Sequence, residues 1–267
     1  MRGRVVLALG LIAAAPPLMT GFPDIPPVTS RELAMRIATP ADAARLERRE
    51  LIAPQLSIDP AAERFFVAVP HAMPAAGYGL FVYVSPSDAP DLPDGWAGVI
   101  GHAGMIAVSA ANAGNRQGAF TRRMPLALIA AQGVMRRYKV DPSRVVIAGF
   151  SGGSRVALRL ALAYPELFRG ALLDAGSDVL GTAELPRPDD VRLALLRQNR
   201  FALVSGSNDS AAATDARAAA ALRAAGVTQL AVREVDNLGH DPMPARDLRN
   251  ALNFIGKTAP PPKEAAR

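Results

Sequence analysis

The chain has 267 residues, half of them hydrophobic and a fifth charged, with no cysteine and a net charge of +6. That length buries a substantial core as one large domain or two small ones. The missing cysteine excludes disulfides, cysteine metal sites and a cysteine nucleophile. The positive charge comes mostly from scattered arginines, with no basic run interleaved with aromatics, so it reads as solvated surface and no nucleic-acid partner is expected.

In chain order, Arg2 and Arg4 precede the apolar run Val5 to Ala15, and Pro16-Pro17 breaks it. A basic start, a short apolar run and small residues predict a secretory signal over residues 1–28, with Pro16 a poor neighbour for a cut after Ala15. The run is shorter than the roughly 20 residues of a comfortable span, so the alternative is an uncleaved N-terminal anchor, the one membrane contact expected. A periplasmic or secreted protein follows from the signal. Residues 30–53 read as a charged helical lead-in broken at Pro40.

Short apolar runs rich in Val, Phe and Tyr then predict strands at 64–69, 78–84, 105–110, 144–150, 170–176, 201–207 and 229–235. Helical patterns fall at 121–138, about 153–164, 211–225 and 242–256, with Asp141-Pro142 ending the first and Gly226 following the third. The later strands alternate with helices and are continuously apolar. This predicts a domain over 29–256, a mostly parallel sheet covered on both faces, opening with an antiparallel portion. The polar, Pro-rich tail 257–267 is predicted to be disordered.

The chemistry-bearing stretch is Gly149-Phe150-Ser151-Gly152-Gly153, at the seam between an apolar strand and a helix-prone segment. A G-x-S-x-G turn in that context strains the serine backbone and holds its hydroxyl out. Gly149 and Gly153 are expected because side chains there would collide across the turn. The Gly152 N–H, at a helix N-terminus, is free for a negative oxygen. Ser154 is the competing serine and reads as helix surface.

A serine hydroxyl needs a base, and the base an orienting carboxylate. His240 lies in a polar loop after the last strand, where the base belongs, whereas His71 and His102 precede Ser151 and fall near early strands. Asp209 follows the strand 201–207 and is the preferred acid, with Asp174, Asp178 and Asp215 as competitors. After strand 105–110, Asn112 and Asn115 are candidate substrate contacts or, equally, Asx-turn residues.

The stretch GFSGGSRVALRLALAYPELFRGALLDAG resembles the nucleophile region of α/β-hydrolases. More narrowly it is similar to polyhydroxybutyrate-depolymerase-like and feruloyl-esterase-like bacterial esterases. Asp141-Pro142-Ser143-Arg144-Val145 stands where those open the nucleophile strand, and Tyr164-Pro165-Glu166-Leu167-Phe168 follows the nucleophile helix as in them. The resemblance implies an α/β-hydrolase fold with a small cap or none, and a Ser-His-Asp esterase acting on a small or polymeric ester without metal or organic cofactor. One departure stands out. The family's His-Gly pair after the third strand is replaced by Ser85-Pro86, and proline has no N–H to donate. The second oxyanion donor is then expected from the Ser87 N–H or the Ser85 side chain. A serine peptidase on the same fold, or a non-catalytic binding protein on that scaffold, remains the alternative.

Overall fold

The computed structural model describes residues 18–26, 29–49 and 58–256. The apolar run Val5–Ala15 and the tail 257–267 lie outside them. Eight strands form one sheet: β1 (Leu18–Thr20), β2 (Phe65–Ala68), β3 (Tyr78–Val84), β4 (Met105–Ala110), β5 (Val140–Phe150), β6 (Gly170–Asp174), β7 (Arg200–Gly206) and β8 (Leu230–Val235). Their order across the sheet is β1-β2-β4-β3-β5-β6-β7-β8. Only β2 runs against the others, pairing antiparallel with β1 and β4; β3 to β8 are joined by parallel ladders.

Alternation along the central strands gives the sheet two apolar faces. Leu80, Val82, Val145, Ile147 and Leu173 enter one core, which also holds residues of α4 (Met124–Arg137), α5 (Gly152–Ala163) and α7 (Ala211–Ala224). Phe81, Tyr83, Val146, Ala148 and Leu172 enter the other, under α3 (Trp96–His102) and α8 (Ala245–Ile255). Parallel strands covered on both sides must be apolar throughout, which is why their runs are so legible. Between β6 and β7 the only helix among the described residues is the seven-residue α6 (Asp190–Leu196), in keeping with a small cap or none.

The lead-in folds as two helices, α1 (Ser30–Ile37) and α2 (Pro40–Arg48). Thr29 and Thr39 cap them by accepting from Glu32 N and Asp42 N, and Pro40 starts α2, where a missing N–H is harmless.

Three expectations need correction. Residues 18–26 fall inside the stretch read as a leader, yet they belong to the domain. Leu18–Thr20 pairs with β2, Phe22 is buried with its ring 4.9 Å from that of Phe65, and Arg137 donates to Thr20 Oγ1 and Gly21 O. Next, Asp141-Pro142 does not separate helix from strand but lies within β5, in a stretch where the pairing register with β3 shifts. An irregular strand opening tolerates a proline that a regular ladder would not. Lastly, Ser154 is fully buried rather than on the surface, and its Oγ donates to the carbonyl of Gly176.

Candidate active site

Ser151 sits between β5 and α5 with φ 56° and ψ −122°, a conformation rarely adopted by a side-chain-bearing residue. Local packing over-determines it. The Ser151 N–H donates to Asp174 O at 2.8 Å, and its carbonyl accepts from Ser154 N at 3.1 Å. A methyl on Gly149 would overlap the Gly153 backbone, as expected, while one on Gly153 would strike the Val84 carbonyl of the neighbouring strand. A methyl on Gly152 would meet a different neighbour, the Asn115 carboxamide, which would have to swing aside.

The hydroxyl so presented meets His240. Ser151 Oγ lies 2.9 Å from His240 Nε2, and His240 Nδ1 lies 2.8 Å from Asp209 Oδ2. A carboxylate only accepts, so Nδ1 carries the proton and the neutral ring's Nε2 accepts from the serine. The second Asp209 oxygen accepts from Ala211 N at 2.8 Å, at the start of α7, where the helix dipole favours negative charge. Asp209 is buried while His240 is open to solvent, its ring 5.1 Å from that of Phe150.

The histidine loop is fixed from beneath. Asp174, wholly buried at the end of β6, accepts from Met243 N at 2.9 Å, and Trp96 Nε1 donates to Met243 O at 2.9 Å. Burial pushes the Asp174 carboxyl well above the carboxylate range; the Met243 N–H opposes this, and the Asp215 and Asp209 charges reinforce it.

The rival residues lie elsewhere. Asp178 pairs with Arg159 and, at 3.8 Å, with Arg155; Asp215 accepts from Ser177 Oγ inside the core. His102 ends α3 ahead of β4 and His71 follows the reversed β2, which places both at the opposite edge of the sheet from Ser151. That edge is about 20 Å away at roughly 3.3 Å per strand residue.

The two loops flanking the elbow are knit together. Asn115 N donates to Pro86 O, Asn112 N to Asp88 O, and Gly114 N to Asp88 Oδ1. Asn115 borders Gly152 and lines a groove of about 410 Å³ beside Ser151. Asn112 does not line that groove; it takes a left-handed turn conformation with φ 54°. The Ser87 N–H donates to Ser85 Oγ at 3.1 Å, so this amide already has an acceptor within its own loop.

Arg123 was not singled out by the sequence, yet it joins three segments around the nucleophile. It is 5% exposed, at the end of a π-helical turn (Ala119–Arg123) that leads into α4. Its Nε donates to Ala113 O at 2.8 Å, Nη1 to Gly152 O at 3.2 Å and Nη2 to Ser85 O at 3.0 Å. One guanidinium thus ties the Asn112–Asn115 loop, the elbow and the loop after β3. Burial, with Arg159 nearby, pushes it down to about 10, against the pull of Asp88. Its neighbour Arg122 is half-buried, donates to Asn112 O at 2.7 Å and grips Glu63 through two contacts of 3.0 and 2.8 Å. Nothing in the letters Arg122-Arg123 separates the two roles.

The model of the Esterase family ("Putative esterase") matches residues 127–242, a span that includes Ser151, Asp209 and His240. A search of curated proteins finds no match. Among solved structures, a ferulic acid esterase superposes with TM-score 0.55 at 17% identity, over 72% of this chain and 91% of its own. An acetyl xylan esterase from Aspergillus awamori gives 0.53 at 15% identity, over 73% and 95%. The fluorophosphonate-binding serine hydrolase F of Staphylococcus aureus gives 0.56 at 10%, over 73% and 93%. The sheet order, the strained serine elbow and these likenesses agree with the resemblance read in the nucleophile segment: the chain has the α/β-hydrolase fold, and its segment from α4 to the histidine loop matches the Esterase family.

Proposed function

We propose that the protein is a serine hydrolase of carboxylic esters working through an acyl-enzyme. The observation that carries this is the hydrogen-bonded line Ser151–His240–Asp209 on a strained elbow. His240 Nε2 takes the Ser151 proton as Oγ attacks the ester carbonyl, then returns it to the leaving alkoxide. Asp209 holds the ring in the tautomer that accepts and balances the imidazolium. Water then adds by the same route in reverse, releasing the acid.

Gly152 is the first residue of α5, so its N–H has no intrahelical acceptor and serves the oxyanion. A second donor from Ser87 requires its bond to Ser85 Oγ to break when substrate arrives. Asn115, against Gly152, is placed to touch substrate, and Asn112 to shape the loop that carries it. The test is a fluorophosphonate probe with an ester and amide panel. Wild type should label and cleave esters, and Ser151→Ala should do neither while folding normally. Labelling that persists in Ser151→Ala would sink the assignment, and amide turnover matching ester turnover would make it a peptidase.

We also propose export, on Arg2, Arg4 and the apolar run that follows. No helix among the described residues is long and apolar enough to cross a membrane. A cut at or before residue 17 would leave the strand Leu18–Thr20 in the sheet, and we infer the cut there. Mass spectrometry of the protein from its host should find such a terminus; an intact Met1 on cytoplasmic protein would refute export.

A further inference from the structure

The groove beside Ser151 has an unusual wall. Its lining includes Arg123, Arg155 and Arg159 with the amides of Asn115 and Gln117, and no carboxylate. Arg123 gives its three bonds to carbonyl oxygens, which satisfy N–H groups without neutralising charge. Arg155 and Arg159 share one carboxylate, Asp178, and Arg159 Nε is buried with no partner. Asp88 faces the cluster from the loop after β3 but has Arg116 at 3.6 Å. The first turn of α5 adds its positive end. Uncompensated positive charge in a partly closed groove attracts anions more strongly than the same charge in open water.

The groove also has a definite side. His240 is not part of its lining. The leaving oxygen must lie against His240 Nε2 to be protonated, so whatever fills the groove belongs to the acyl half of the ester. Resting on the ester-hydrolase reading above, we propose that this groove selects esters whose acyl chain carries an anionic group, a carboxylate foremost, seated between Arg155 and the Arg123–Arg159 wall. Arg155 is the adjustable contact, with a side chain 58% exposed and a carboxylate no nearer than 3.8 Å. Arg159, 12% exposed, and Arg123 are the fixed wall.

The experiment compares the mono-p-nitrophenyl ester of adipic acid with p-nitrophenyl hexanoate. The two chains match in length and differ in a terminal carboxylate. The ratio of their kcat/KM values is read in wild type, Arg155→Gln and Arg155→Glu, at low and high salt. Each protein is also labelled with a fluorophosphonate. Wild type should favour the adipate ester by about tenfold or more at low salt, with the preference shrinking as salt screens it. Arg155→Gln should cut the ratio several-fold, and Arg155→Glu should bring it below one. Arg155 is exposed, so neither change threatens the fold. A wild-type ratio at or below one, or a ratio indifferent to both variants, overturns the anion seat while a labelled Ser151 leaves the hydrolase reading standing. Failure of Ser151 to label removes the hydrolase reading and this inference with it.

Discussion

At the N-terminal ends of the parallel strands lies a cavity of about 580 Å³, lined by Asp141, Arg144, Arg169, Arg200 and Ile255 among others. At the C-terminal ends lies the smaller groove of about 410 Å³ beside Ser151. Volume favours the first and chemistry the second. The larger cavity sits where strands begin, and no strained serine or hydrogen-bonded base stands there. The smaller one lies at the end of the sheet where β3, β5, β6 and β7 finish, and polar residues at or just beyond those strand ends, Ser85, Ser151, Asp174 and Asp209, hold the loops around Ser151 and His240. In open parallel sheets the crevice beyond the carboxyl ends is where loops converge and helix N-termini point, so size alone is a poor guide.

The largest expected effect tests that contrast directly. His240→Ala should lower kcat by on the order of 10⁵–10⁶ and Asp209→Asn by on the order of 10⁴, and the double variant should be little worse than His240→Ala. Arg169→Ala, in the larger cavity, should stay within about twofold of wild type, as a change distant from the chemistry does. Multiplying losses in the double variant would mean that the two residues act independently. A collapse of turnover in Arg169→Ala would mean that the two ends are coupled.

A smaller effect concerns the loop after β3. Ser85 Oγ holds the Ser87 amide, and Arg123 holds the Ser85 carbonyl. If the Ser87 amide is the second oxyanion donor, Ser85→Ala frees it and kcat holds or rises. If the Ser85 hydroxyl is the donor, the same change lowers kcat by about 10²–10³ with KM little moved. Single-turnover measurements on wild type and Ser85→Ala decide between the two outcomes.

The contrast also shows which parts of the molecule were legible in sequence. Parallel strands covered on both faces need unbroken apolar runs, and β3, β4 and the nucleophile end of β5 are read off directly. The elbow is local, because its glycines are demanded by backbone overlap within a few residues of Ser151. His240 and Asp209 follow from chain order and from their places after strands. The strand β1 was hidden because a leader and an edge strand are both short apolar segments, and only its pairing with β2 across more than forty residues distinguishes them. The helix α3 was hidden by three glycines within or beside a seven-residue span. Arg123 was invisible for a deeper reason. Its role consists of three carbonyls from separate parts of the chain, and no local pattern encodes them.

The smallest effect asks what the Ser151 end costs the fold. Asp215 is wholly buried in α7, and burial pushes its carboxyl up to about 6, against the hydrogen bonds from Ser177 and Ser205 and with the Asp209 charge adding to the rise. A raised acid binds its proton more tightly folded than unfolded. Its contribution to stability is therefore full below the unfolded pKa of about 3.9 and is lost as pH rises to about 6. Asp215→Asn retains an oxygen that accepts from Ser177 but has no proton to lose. Relative to that variant, wild type should lose on the order of 1–3 kcal/mol between about pH 4 and pH 6, and the difference should be flat above that window. Asp174 is present in both chains, so its own titration largely cancels in the comparison. Urea midpoints of the two proteins across the window give the answer. A gap that is constant with pH, or one that moves in wild type's favour as pH rises, would show that Asp215 is ionised at no cost and that the buried carboxylates behind the serine are better compensated than their burial implies.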